Sequence, residues 1–193
     1  MQRLILGVAL AVVAAWTLAA TAGEKKTGKA EPAEKTVVVG SQAPAFKFTD
    51  SQGKEFDLVK LTNKGPVLLR LTCGCSGCDK ELAYFQELHK AYKDRGLTSV
   101  AIFREPDAKV EKYVASKKLN MLYGIDTKGA SWKIFQTKTM PTNFLIGKGG
   151  KILAIAAGCD PSGLLANRLS EKVAGVIATE TVDVQKKVAD KKK

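Results

Sequence analysis

The stretch "VLLRLTCGCSGCDKELAYF", residues 67–85, narrows the fold more than any other part of the chain. An apolar run of strand length stops at three cysteines. The residues after them place Leu82, Phe85, Leu88 and Tyr92 at spacings of three and four, one face of a helix over 78–94. A buried strand turning directly into a helix is the unit of an α/β sheet, and open sheets of that kind keep their chemistry at the carboxyl ends of the strands. Cys75-Ser76-Gly77-Cys78 falls at that turn. Cys75 stands at or just before the helix start, where unpaired backbone N–H groups and the positive end of the helix dipole favour a thiolate. The short spacing lets Cys78 close on Cys75, and small Ser76 and Gly77 leave the first sulfur open to a partner.

The rest of the chain supplies the remaining layers. "FKFTDSQGKEFDL" predicts a β-hairpin turning at Gly53, and "LTSVAIF" a strand followed by a helix in "DAKVEKYVASKKL". "MLYGID" reads as a short edge strand and "SWKIF" as a turn of helix. "TNFLIG" and "KILAIAAG" are two strands joined at Gly147–Gly150, and residues 162–178 form a last helix. The expectation is an α/β domain with a central mixed sheet flanked by helices and an N-terminal β-hairpin.

The ends of the chain read differently. "MQR" followed by the apolar residues 4–20 and Ala20-Thr21-Ala22 has the pattern of an export signal over 1–22, with an uncleaved N-terminal anchor as the alternative. No membrane span is expected in the mature form, which would meet an oxidising compartment, the bacterial periplasm. Residues 23–36 form a Lys/Glu/Ala linker, 37–178 the domain and 179–193 a basic C-terminal tail. The formal charge of +12, from 31 Lys+Arg against 19 Asp+Glu, lacks the aromatic interleaving of a nucleic-acid surface, and no nucleic-acid partner is expected.

From about residue 38 to 178 the chain resembles the thioredoxin-fold thiol–disulfide oxidoreductases of the TlpA/ResA type, within the redoxin (AhpC/TSA) group. The likeness is carried by "VGSQAPAFKFTDSQGKEFDL", by "CSGCDKEL" and by "MPTNFLIGKGGKI". It implies a thioredoxin-like fold and an enzyme in which Cys75 and Cys78 exchange disulfides without a cofactor. It makes Met140-Pro141 a cis peptide facing the dithiol, against a trans proline that merely opens a strand. The backbone of Met140 is then free to pair with a partner segment, with Gly74 and Gly158 on the same rim. Glu81 matches the group's active-site acid, placed to exchange protons with Cys78; the alternative is an exposed first-turn carboxylate. Arg70 occupies a strand position where the group commonly has a large hydrophobe.

Cys159, after Gly158, is expected near the dithiol, and so is Cys73. An auxiliary Cys73–Cys159 disulfide, two thiols of no special role, an auxiliary redox pair, and a Cu(I) or Zn(II) site on the thiolates are all open. Partners are proteins bearing disulfides or dithiols, and a further redox protein as electron donor or acceptor. A peroxiredoxin-like thiol peroxidase is the alternative activity, because Thr72-Cys73-Gly74-Cys75 fits part of a peroxidatic motif. Against it, Leu68 replaces the proline expected before that threonine.

Overall fold

The computed structural model describes residues 36–50 and 52–193. The export signal at 1–22 lies outside the described residues, as does nearly all of the 23–36 linker. The hairpin forms as expected, from β1 (Lys47–Thr49) and β2 (Glu55–Asp57), with Gly53 at φ +78° in the turn. Asp50 Oδ1 holds that turn by accepting from the N–H groups of Gln52 and Lys54 at 2.9 Å each. A helix that the periodicity did not reveal follows at once, α1 (Leu58–Lys64). Asp57 caps it, accepting from Val59 N at 2.9 Å, so a residue read as strand ends one element and starts the next.

The remaining elements are β3 (Val67–Thr72), α2 (Ser76–Tyr92), β4 (Thr98–Phe103), α3 (Asp107–Lys117), β5 (Leu122–Ile125), α4 (Ala130–Ile134), β6 (Thr142–Ile146), β7 (Ile152–Ala157), α5 (Leu164–Val176) and α6 (Val184–Asp190). Five strands make one sheet in the order β5-β4-β3-β6-β7. β3 runs parallel to β4, β4 parallel to β5, and β6 antiparallel to both β3 and β7, which gives the expected mixed sheet.

Strand alternation sorts the core into two layers. Val67, Leu69 and Leu71 of β3 join Val100, Ile102, Phe144 and Ile146 on the face covered by the hairpin, α1 and α4. Leu68 joins Ala101, Phe103 and Leu145 on the opposite face, against Phe85, Leu88 and Tyr92 of α2 and Leu169 and Val173 of α5. By the same alternation Arg70 faces α2, and the β3–β6 register sets it directly beside Asn143. All six residues of β3 are buried. A guanidinium therefore lies inside the sheet-to-helix layer.

The domain does not stop at 178. Residues 184–190 of the supposed tail form α6, capped by Asp183 through Lys186 N at 2.9 Å. Val184 and Val188, one turn apart, are buried against the other helices. Tyr92, fully buried, hydrogen-bonds with Ser170 Oγ at 2.8 Å and accepts from Val182 N at 2.9 Å. The lysines of this segment masked a short amphipathic helix. Among the described residues no helix is long and apolar enough to cross a membrane.

Candidate active site

α2 begins two residues before the periodicity placed it, so Cys75 is its N-cap residue, in extended conformation. The Cys75 carbonyl accepts from Asp79 N at 3.0 Å and closes the first turn. All four cysteines are free thiols; Cys75 is exposed, Cys73 half-buried and Cys78 buried. Three sulfurs form a cluster, with Cys73 Sγ 2.7 Å from Cys75 Sγ and 3.3 Å from Cys78 Sγ, and Cys75 Sγ 3.5 Å from Cys78 Sγ.

The cluster separates the thiols electrostatically. Cys75 is held below the ordinary cysteine value, first by the hydrogen bond from Cys73 and next by the backbone N–H of Cys78, while partial burial opposes them. Cys73 is pushed well up, chiefly by burial and by donating to Cys75. Of this hydrogen-bonded pair Cys75 is therefore the sulfur that ionises more readily, with Cys73 as its proton-bearing neighbour.

Cys159 does not meet Cys73. Its thiol donates to the carbonyl of Gly77 at 2.7 Å, so the structure contains no Cys73–Cys159 bridge. Cys159 is exposed, and its pKa is raised by local desolvation of the thiol and by the charge of Glu81. The three clustered sulfurs lie within 4.8 Å of one another, a spacing that suits a soft ion such as Cu(I), and Cys159 is not among them.

The proline loop reaches the dithiol loop through the end of β7, whereas Gly74 faces α3. The Met140-Pro141 peptide is cis, as the resemblance implied. Pro141 O accepts from Gly158 N at 2.8 Å, and Gly158 takes φ +95°, which suits glycine. The next residue, Cys159, reaches Gly77, so the proline loop and the dithiol loop are tied through residues 158 and 159. Met140 is half-buried against the hairpin-side core. Gly74 lines a cavity of about 100 Å³ with Phe103, Glu105, Val110 and Tyr113, and the Tyr113 ring would lie 3.4 Å from a Cβ at 74.

Glu81 is not an exposed carboxylate. It is 1 % exposed, and its Oε1 stands 2.5 Å from Nη1 of Arg70, itself 2 % exposed. Oε2 accepts from Asp160 N at 2.9 Å. Arg70 also donates to Asn143 Oδ1 at 3.0 Å and to the carbonyl of Cys78 at 3.2 Å, and its guanidinium lies 4.4 Å from the centre of the Phe85 ring. Both carboxylate oxygens are thus engaged, and Glu81 anchors α2 to β3 and to the loop bearing Cys159. The departure at Arg70 and the acid at Glu81 are one feature. Asn143 and Asp160 carry no local signal in the sequence, because only the β3–β6 register and the β7–α5 turn bring them there.

The model of the AhpC/TSA family matches residues 39–155. The chain belongs to the AhpC/TSA family. Within that family it stands with the thiol–disulfide oxidoreductases. It is 34% identical over 121 residues to thiol-disulfide oxidoreductase ResA of Bacillus thuringiensis, covering 62% of this chain and 70% of that one. It is 35% identical over 127 residues to ResA of Geobacillus thermodenitrificans, covering 65% and 73%. Among solved structures, a putative thiol:disulfide interchange protein DsbE from Chlorobium tepidum superposes with a TM-score of 0.67 at 24% identity, over 74% of this chain and 99% of that one. A peroxidoxin, BcpB from Mycobacterium tuberculosis, gives 0.61 at 22% identity over 74% and 97%. The thioredoxin-like fold is common to both, so this AhpC/TSA protein's activity has to be read from its site.

Proposed function

We propose that this AhpC/TSA protein is an exported thiol–disulfide oxidoreductase that exchanges disulfides with partner proteins through Cys75 and Cys78. The observation that carries the reading is an exposed, acidified Cys75 at the N-cap of α2 with a buried cysteine sulfur 3.5 Å behind it. In the reducing direction the Cys75 thiolate attacks one sulfur of a partner disulfide. The Cys75–partner bond forms, the partner S–S bond breaks, and the released partner sulfur takes a proton. Cys78 then attacks Cys75 Sγ, the internal disulfide forms, and the partner leaves as a dithiol carrying the electron pair. The reverse sequence oxidises a partner.

Glu81 and Arg70 act as positioning residues, since Arg70 holds the Cys78 carbonyl and Glu81 holds Arg70. Gly74, Met140, Pro141 and Gly158 form the rim that an extended partner segment would meet. Export rests on the pattern of residues 1–22 and on the chemistry of a reactive dithiol.

The peroxidase alternative is less well supported. A peroxide-reducing site wants a cation free to polarise the oxygen, whereas Arg70 is committed to Glu81, Asn143 and the Cys78 carbonyl. The deciding experiment is insulin reduction with dithiothreitol as the electron source. Catalysis by the chain and its loss in Cys75→Ser are expected. Retained catalysis in Cys75→Ser, or rapid peroxide consumption without insulin reduction, would overturn the proposal.

A further inference from the structure

The two-cysteine cycle leaves Cys73 unused, yet its sulfur is the nearest one to Cys75, at 2.7 Å against 3.5 Å for Cys78. Cys73 Sγ already lies in contact with Cys75 Sγ, so a disulfide between them needs only a short side-chain approach. Cys73 is also half-buried where Cys78 is 2 % exposed, and only Gly74 separates it from Cys75. The fourth thiol cannot take its place, because Cys159 is turned to the Gly77 carbonyl.

We propose that Cys73 is a third exchange thiol, competing with Cys78 to resolve the mixed disulfide on Cys75, so that the oxidised centre contains a Cys73–Cys75 as well as a Cys75–Cys78 bridge. The inference rests on Cys75 being the nucleophile proposed above. While Cys75 is a thiolate, Cys73 donates a hydrogen bond to it. Once Cys75 is joined to a partner, that acceptor is gone and Cys73 is left beside an electrophilic sulfur. Cys73 Sγ attacks Cys75 Sγ, the Cys73–Cys75 bond forms and the Cys75–partner bond breaks. The partner sulfur leaves with the bonding pair and takes up the proton from Cys73.

The resulting bridge can migrate. Cys78 Sγ attacks Cys75 Sγ, the Cys75–Cys78 bond forms, and Cys73 returns to the thiol with the proton from Cys78. Each one-disulfide form keeps one sulfur of the cluster reduced. The oxidised protein therefore still carries a thiol at its active site, and a partner can be released without the buried cysteine.

The test uses the full chain with Cys159→Ala throughout, so that only the cluster reacts. The reduced protein is given a substoichiometric amount of 5,5′-dithiobis(2-nitrobenzoate), and intact mass follows the nitrothiobenzoate adduct. In Cys78→Ser the adduct is expected to give way to an internal disulfide. In Cys73→Ser/Cys78→Ser it should persist, with a lifetime at least about tenfold longer. Equal lifetimes in the two variants would overturn the proposal. Peptide mapping of the partly oxidised protein retaining Cys73, Cys75 and Cys78 gives a check free of folding defects; a Cys73–Cys75 linkage is expected, and only Cys75–Cys78 linkage would overturn it. Failure of the underlying reading is separately visible, because Cys75→Ser would then reduce insulin as well as the parent does.

Discussion

Helix α2 carries two acids two residues apart, and each meets a cation in opposite surroundings. Glu81 faces inward and pairs with Arg70 at 2.5 Å, with both side chains almost wholly buried. Asp79 faces outward, takes Lys117 Nζ at 2.8 Å and the Tyr113 hydroxyl at 3.1 Å, and the Lys117 and Asp79 side chains are 40% and 31% exposed. The distances are similar but the free energies are not. A surface pair is worth about 0–1 kcal/mol, whereas removing one partner of a buried pair costs about 3–5 kcal/mol because a bare charge remains. The inner pair therefore fixes where the helix N-terminus sits beneath the sulfurs, and the outer pair only guides α3 against α2.

The largest effect is expected from Arg70→Met, which should lower unfolding stability by about 3–5 kcal/mol in urea titrations. Adding Glu81→Gln should restore most of it, since an uncharged amide can still accept from Asp160 N; a double variant as unstable as the single one would break the distinction. Glu81→Gln alone should cost nearly as much as Arg70→Met, because Arg70 is then the uncompensated charge. Cys73→Ala should leave stability nearly unchanged but move the pH inflection of Cys75 alkylation upward, because the leading cause of its acidity is lost. At pH 7 less thiolate is present and alkylation slows; an unmoved inflection would refute that assignment. The smallest effect belongs to Lys117→Ala, at most about 1 kcal/mol and fading as salt is raised. A loss comparable to that of Arg70→Met would erase the contrast.

Much of this layout was legible from local sequence. The hairpin, the alternating strands and helices, the edge strand at 122–125 and the dithiol at a helix start all follow from periodicity and turn residues. The cis bond before Pro141 came from the resemblance to the thioredoxin-fold group, because an X-Pro pair does not reveal its isomer. The misses share a cause. Arg70 stands out in an apolar strand, but its partner on α2 depends on which face of β3 it occupies, and Asn143 enters only through the β3–β6 register. The sequence brings both Cys73 and Cys159 near the dithiol, while the direction of each thiol is set by the packed loops. α1 and α6 leave no periodic signal for a simpler reason, since helices of seven residues with two buried side chains each are too short to show a period.

The last of these helices changes what counts as dispensable. The run from 179 onward looks like polar trailing matter, the sort of segment trimmed to aid crystallisation. Yet Val184 and Val188 close over the back of α2, and the Val182 N–H satisfies the hydroxyl of Tyr92. Cutting the chain after 178 would uncover that aromatic and strip it of a partner some four turns from the sulfurs. A shortened protein could then lose activity while every reactive residue remained in place.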